Sequence, residues 1–294
     1  MQVKIFCDAF KESGLGHLRR CEKLLVYLKK IGIKSSIHTY KQQKDCLSFL
    51  NNIGSTDFII TDSYQLVSKD FYTFRKKAKA LMVIEDSEHK EGFYPKHTSI
   101  INGTLGAKNY YKNLSQDYFY YLGAEFLPIS FDFCYKRSIV SQVEHVLITL
   151  GGSKQDILKD IVEILENKNV ILHVISQDII KEVKNIHYYN HLSLLEFSHL
   201  MKSCDVAISA GGMTLYELVL SQTPSLILPI ATNQLAQSLE FEKLGAFKIT
   251  SLETLERDFE NLIPLKERKR QVDIFKTLNF GEHLERALKE FLER

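Results

Sequence analysis

Short apolar runs alternate with amphipathic stretches along nearly the whole chain, and the alternation runs through twice. Residues 3–8 read as a strand, and 16–31 carry Leu18, Cys21, Leu24, Leu25 and Leu28 at helical spacing. Further strands are expected at 35–39, 58–61, 81–84, 99–101 and 119–122, with helical patterns around 41–51 and 66–78. Segment 127–142, with Pro128 and a charged Lys-Arg-Ser turn, breaks the pattern and reads as a linker. The pattern restarts with a strongly apolar strand at 144–150 and a helix at 157–166. Strands follow at 170–174, 206–209, 225–228 and 246–249, with helices at 192–203, 212–221 and 235–244, the last stopped by Gly245. Residues 281–294 form a charged amphipathic helix with Leu284, Leu288 and Phe291 as its apolar stripe. Strands that alternate with helices form parallel sheets, because each helix carries the chain back across a face. The sequence therefore predicts an α/β protein of two Rossmann-like, doubly wound domains facing across a cleft. Residues 1–135 form one and 136–294 the other, with the last helix packing back on the first.

Composition removes several classes of function. The chain has 294 residues, 38 Lys and Arg against 36 Asp and Glu, and a net charge of +2, so nothing calls for a nucleic-acid partner. No run of about 18 apolar residues exists to span a membrane. Residues 1–10 lack the basic and apolar regions of a signal peptide, and we expect a cytoplasmic monomer. The five cysteines, Cys7, Cys21, Cys46, Cys134 and Cys204, have no zinc-type spacing and read as reduced thiols. No metal and no cofactor is expected.

Four segments carry the chemistry, each just after a strand, where ligands of open α/β sheets bind. In Ser13-Gly14-Leu15-Gly16-His17 the glycines allow a tight turn and close approach to a ligand, and the helix start offers free N–H groups. A histidine there can serve as a base, or be an incidental surface residue. Thr149-Leu150-Gly151-Gly152-Ser153 repeats the theme, and is equally compatible with a plain strand–turn–helix connection. In Ser209-Ala210-Gly211-Gly212-Met213-Thr214-Leu215-Tyr216-Glu217, the amides of 211–214 can cradle a diphosphate and Glu217 can take ribose hydroxyls. The spacing of Thr214 and Glu217 also suits a capping box. Thr232-Asn233-Gln234 offers amides for a hexose, or a helix cap at Asn233. Asp8, Asp62-Ser63-Tyr64, Glu85-Asp86 and Asn102 stand at strand ends in the first half, where they can bind sugar groups, orient His17, or cap loops.

Taken together, SGLGHLRRC, TLGGSKQD, SAGGMTLYE and ATNQLAQ, in this order, resemble the UDP-linked diacetamido-trideoxy-altropyranose hydrolase family of bacterial pseudaminic acid biosynthesis. TDSYQL, Glu85-Asp86 and INGTLGAKNYY, with Asn102 and Tyr110, extend the resemblance over nearly the whole chain. That family is similar to the lipid II N-acetylglucosaminyltransferase and looks like a GT-B fold. The resemblance implies a metal-independent hydrolase that attacks the anomeric carbon of UDP-2,4-diacetamido-2,4,6-trideoxy-beta-L-altrose with water. It releases UDP with inversion, in a pathway that supplies flagellin or surface glycans. It implies His17 as the catalytic base. Gly16, Asp62, Tyr64, Asn102, Asn233 and Gln234 are expected at the sugar. Gly14, Gly151, Gly152, Ser153, Ala210, Gly211, Gly212, Met213, Thr214 and Glu217 are expected at UDP. Glu85 for Asp, Ile129-Ser130 for Leu-Arg and Met213 for a small residue depart from the family pattern and bear on the sugar more than on the reaction. The alternative is a GT-B glycosyltransferase using a UDP-amino sugar, with Phe93-Tyr94 and Tyr110-Tyr111 as an acceptor surface.

Overall fold

Alternating strands and helices with few turn residues between them leave the chain one economical solution, a parallel sheet with helices on its faces, and it forms twice. A computed structural model describes residues 2–9, 16–40, 45, 48, 53–86, 92–111, 113–151, 155–181 and 183–294, without the side chains of Gln155 and Asn233. Two compact units result, one of residues 1–129 and 279–294, the other of 130–278. The division falls at Ser130, whose hydroxyl accepts from the amide of Asp132 and starts a short turn with Phe133 buried. Phe133 packs on Phe197, and the amide of Tyr135 bonds Leu220, so 130–135 belong to the second unit.

In the first unit the elements run β1 (Val3–Asp8), α1 (Gly16–Lys30), β2 (Ser35–Tyr40), β3 (Phe58–Asp62), α2 (Ser68–Lys77), β4 (Ala80–Ile84), β5 (Ser99–Asn102) and β6 (Phe119–Leu122). The sheet order is β2-β1-β3-β4-β5-β6, parallel throughout. Strands β3 and β4 are buried at every residue, as expected of a sheet covered on both faces. The expected helix at 41–51 falls largely outside the described residues.

The second unit runs β7 (His145–Thr149), α3 (Gln155–Leu165), β8 (Ile171–Ile175), β9 (Ile186–Tyr189), α4 (Leu194–Ser203), β10 (Val206–Ser209), α5 (Thr214–Leu220), β11 (Ser225–Ile227), α6 (Thr232–Lys243), β12 (Lys248–Ile249), α7 (Leu255–Leu262) and α8 (Leu265–Phe275). Its order is β12-β11-β10-β7-β8-β9, again all parallel. Local signals set several boundaries. Ser193 and Glu196 exchange bonds in a capping box at the start of α4. At the end of α6, Gly245 adopts φ 70°, its amide bonds Glu242, and the amide of Ala246 bonds Phe241. That is a Schellman stop, and it uses up Ala246, so β12 begins later than the sequence suggests. Strand β9 and helices α7 and α8 are additions to the sequence reading. Strand β9 is a half-buried edge, without the apolar run that marks its neighbours.

The chain then returns to the first unit in α9 (Leu284–Leu292). Gly281 makes the return at φ 73°, its amide bonded to Ala124 at 2.9 Å. A side chain there would meet the carbonyl of Leu127 at 2.8 Å, so conformation and close approach both require glycine. Phe291 is fully buried and its ring stands edge-on to Phe58 of β3 at 5.4 Å. Phe291→Ala should therefore destabilise the first unit by about 3–5 kcal/mol, read as a lowered midpoint in urea unfolding. A surface-like cost would show that α9 is only loosely attached.

Candidate active site

In the first sheet, β2 lies on one side of β1 and β3 on the other. The connections from β1 and β3 therefore diverge at this point, leaving a crevice at the carboxyl ends of the two strands. Cys7 pairs in register with Asp62, so the ends of the two strands meet there. Helix α1 starts above them. Its buried stripe is His17, Arg20, Cys21, Leu24, Tyr27 and Leu28, one face at helical spacing. The same periodicity that drives Leu24 and Leu28 into the core thus drives His17 and Arg20 down onto the strand ends.

The Asp62 carboxylate is 1% exposed and serves both. His17 Nδ1 lies 2.5 Å from Oδ1, Arg20 Nη2 2.6 Å from Oδ1, and Arg20 Nε 2.7 Å from Oδ2. Burial raises the carboxyl's proton affinity, but the charge of Arg20 and the bonds from His17 and Arg20 outweigh it and hold the pKa at about 2. The carboxylate is therefore an acceptor only. It follows that His17 Nδ1 carries the hydrogen, which leaves Nε2 as the ring nitrogen for any lone pair. Burial also opposes the charge on Arg20, yet Asp62 and Asp86 more than restore it and raise its pKa further.

Tyr64 borders the imidazole, its ring edge-on at 4.5 Å between centroids. Its backbone amide donates to Asp8 Oδ2 at 2.8 Å and its hydroxyl to Asp86 Oδ2 at 2.7 Å. Pinned at both ends, it still leaves 57% of its surface open, so its ring is a fixed aromatic wall beside the imidazole. Asp8 is fully buried, and its Oδ1 has no bonding partner. Asn102 is also fully buried, and its side chain turns the following loop by accepting from the amide of Thr104 at 3.0 Å. Gly16 opens α1 with nothing within 4 Å of where a side chain would stand. Gly14, Gly152 and Ser153 lie outside the described residues. Arg20, absent from the sequence-based site, is the residue that reasoning missed. Its signal was its place one helical turn after His17.

The second unit builds a comparable place. Its order changes direction between β7 and β10, where Thr149 pairs with Ser209 and the Ala210 amide bonds the Thr149 carbonyl at 3.1 Å. Gly151, exposed at φ 65°, and the 210–214 segment leave from these ends. Gly211 is glycine because α6 presses on it, a side chain there meeting Ser238 Oγ at 2.3 Å. Its amide donates to Gln234 Oε1 at 3.1 Å, as does that of Ile230 at 3.0 Å. Gln234 thus ties two loops to α6, and the Gly211 amide is unavailable to a phosphate, so the expected cradle narrows to 212–214. Beside Gly212 the space is open. Met213 is the N-cap of α5 with no side-chain cap bond, and Thr214 is the first helical residue. The capping-box reading of Thr214 and Glu217 is therefore not realised. Glu217 is nonetheless nearly buried. Ala231 caps α6, which excludes the capping role for Asn233.

Among the described residues, no group of three or more His, Cys, Asp or Glu is placed to hold a metal ion, and no helix is long and apolar enough to cross a membrane. Cys7, Cys21, Cys134 and Cys204 are free thiols, and Cys46 lies outside the described residues.

The fold is that of the GT-B glycosyltransferases and related epimerases. A solved structure of MurG from Acinetobacter baumannii superimposes with a TM-score of 0.62 over all of both chains at 13% identity. At that identity the likeness concerns fold alone. In sequence the chain is 59% identical, over all 294 residues, to the pseudaminic acid cytidylyltransferase and UDP-2,4-diacetamido-2,4,6-trideoxy-beta-L-altropyranose hydrolase of Helicobacter pylori, and spans 56% of that protein's length. It is 25% identical to the spore coat polysaccharide biosynthesis protein SpsG of Bacillus subtilis, over 84% of this chain and 82% of that one. No family model matches the chain.

The depressed pKa of Asp62 has a defined consequence. A carboxyl held at about 2 in the fold and near its ordinary value when unfolded stabilises the protein above pH ~4 and loses that contribution as pH falls towards 2. Between pH 5 and pH 2 the wild type should lose about 2 kcal/mol more unfolding free energy than Asp62→Asn. Parallel losses in urea titrations at the two pH values would refute the ion pair.

Proposed function

We propose that the chain hydrolyses UDP-2,4-diacetamido-2,4,6-trideoxy-beta-L-altropyranose to UDP and the free sugar. The observation that carries this reading is the 2.5 Å contact between His17 Nδ1 and the ionised Asp62, which leaves Nε2 as a base. The name of the Helicobacter pylori relative joins a nucleotidyl transfer to a hydrolysis. A neutral imidazole backed by a carboxylate is the apparatus that activates water, and so favours the second.

The step is a single displacement. Water bonds to the anomeric carbon as the bond from that carbon to the phosphate oxygen breaks, with the electron pair leaving on UDP. His17 Nε2 takes the water proton, and Asp62 balances the imidazolium without being protonated. Attack on the face opposite UDP inverts the anomeric centre. Tyr64 offers its ring to the sugar, with Gly16 as a further contact in the same unit. The second unit takes the nucleotide. The amides of Gly212, Met213 and Thr214 meet the diphosphate, with Gly151 and Ala210 beside them, and Glu217 meets the ribose. In keeping with the family resemblance, the reaction needs no metal.

Proton NMR of the UDP-sugar with the purified protein in EDTA should show UDP and free sugar released together, with the inverted anomer first. Retention of configuration, or turnover only when an acceptor alcohol is supplied, would refute the hydrolase. His17→Ala should lower kcat by about 100- to 10,000-fold while UDP still binds in calorimetry. Equal loss of UDP binding would remove His17 from the role of base.

A further inference from the structure

The adjacent arginines of α1 have opposite environments. Arg19 faces outward and pairs with Glu22 at 3.4 Å. Arg20 lies on the buried stripe with His17. Its fork grips Asp62 at two points, Nε on Oδ2 at 2.7 Å and Nη2 on Oδ1 at 2.6 Å. The same Oδ1 receives His17 Nδ1. On the other side Nη1 and Nη2 both reach Asp86 Oδ2 at 3.4 Å, and that oxygen accepts the Tyr64 hydroxyl. The Tyr64 ring in turn abuts the His17 ring. The contacts close into a circuit of His17, Asp62, Arg20, Asp86, Tyr64 and back to His17, in which Arg20 is the guanidinium that joins the two carboxylates.

We infer that Arg20 is a positioning residue of this site, fixing the plane of Asp62 and so the tautomer of His17, and coupling the base to the Tyr64 wall through Asp86. This rests on the hydrolase reading for its kinetic consequence, though not for its structural one. A planar fork sets the orientation of a carboxylate, whereas an ammonium supplies charge at one point. Lysine at this position should therefore keep the charge and lose the alignment. Without the fork, the Asp62 carboxylate is no longer held facing Nδ1, and the Nδ1–H tautomer loses the fixed acceptor that selects it. Among the described residues, the groups facing Asp62 are His17, Arg20, the Cys21 thiol and Tyr64, and those facing Asp86 are Arg20, Tyr64 and, through its charge, Tyr111.

The test compares the wild type with Arg20→Lys, and with Arg19→Lys as control, by kcat, KM, the pH profile of kcat/KM, and nitrogen-15 NMR of the His17 ring without substrate. Arg20→Lys is expected to lower kcat by about 100-fold with little change in KM. Because lysine keeps the charge beside Asp62, the acid limb of the profile should stay in place, while the Nδ1–H form should give way to a mixture of tautomers. Arg19→Lys should match the wild type. Wild-type kcat in Arg20→Lys, or an Nε2–H tautomer in the wild type, overturns the inference. The NMR needs no substrate. A wild type that holds the Nδ1–H form, lost in Arg20→Lys, yet releases no UDP, sustains the positioning role and rejects the hydrolase. Should Arg20→Lys not fold, Asp86→Asn breaks the outer half of the circuit alone. A lowered kcat with the Nδ1–H form retained supports the coupling, and an unchanged kcat overturns it.

Discussion

Asp62 is a carboxylate almost without access to water, and an ion in that position persists only when its partners replace the water it has lost. Four donors do so, two nitrogens of Arg20, one of His17 and the Cys21 thiol. The arrangement of the first unit's site follows from satisfying this one group. Arg20 must be buried to reach it, so the first turn of α1 must lie against the sheet. The remaining reach of the guanidinium draws in Asp86, and Asp86 fixes Tyr64. Burying an ion pair is a poor way to gain stability, because desolvation offsets much of the attraction. It is an effective way to gain orientation, since a misplaced partner leaves a bare charge in a dry place.

Both units apply the same topological rule to different chemistry. In each, the sheet order changes direction beside the unit's first strand, and the loops that leave there are spread apart. The first unit fills its gap with charged side chains held in one pattern. The second fills its gap with small residues and backbone: Ala210, Gly211, Gly212 and the start of α5, braced from behind by Gln234 and Ser238 of α6. Rigid side chains suit proton transfer. Exposed backbone suits a ligand that brings its own charge and asks only for shaped donors.

Much of this was legible in the sequence, and the boundary of legibility is physical. The alternation of apolar runs announced both sheets, because strands buried on two faces are apolar along most of their length, as β4 is throughout and β3 and β10 are up to the polar residues at their carboxyl ends. His17 was visible through the glycines before it. Arg20 was passed over because a basic residue in a helix is ordinarily a solvated one, although its spacing from His17, Leu24 and Leu28 sets it on the buried face and Arg19 off it. Gln234 was read as a group for the sugar, but its carbonyl oxygen serves the fold, a use that depends on two loops distant in sequence. Strand β9 lacks the apolar run that marks its neighbours, whereas α7 did carry a helical stripe in Leu255, Phe259 and Leu262, and that signal went unused.

The placement of α9 bears on how the chain comes to its final form. The second unit is one uninterrupted stretch, whereas the first is made of two pieces with the second unit between them. A nascent chain emerging from the ribosome carries every strand of the first sheet well before it carries Phe291, the ring that covers Phe58. The unit translated later is thus the one able to finish first. The unit holding His17 and Asp62 keeps an apolar flank uncovered until α9 is made. Interrupting the chain between the units would therefore cost the first sheet its cover and leave the second unit whole.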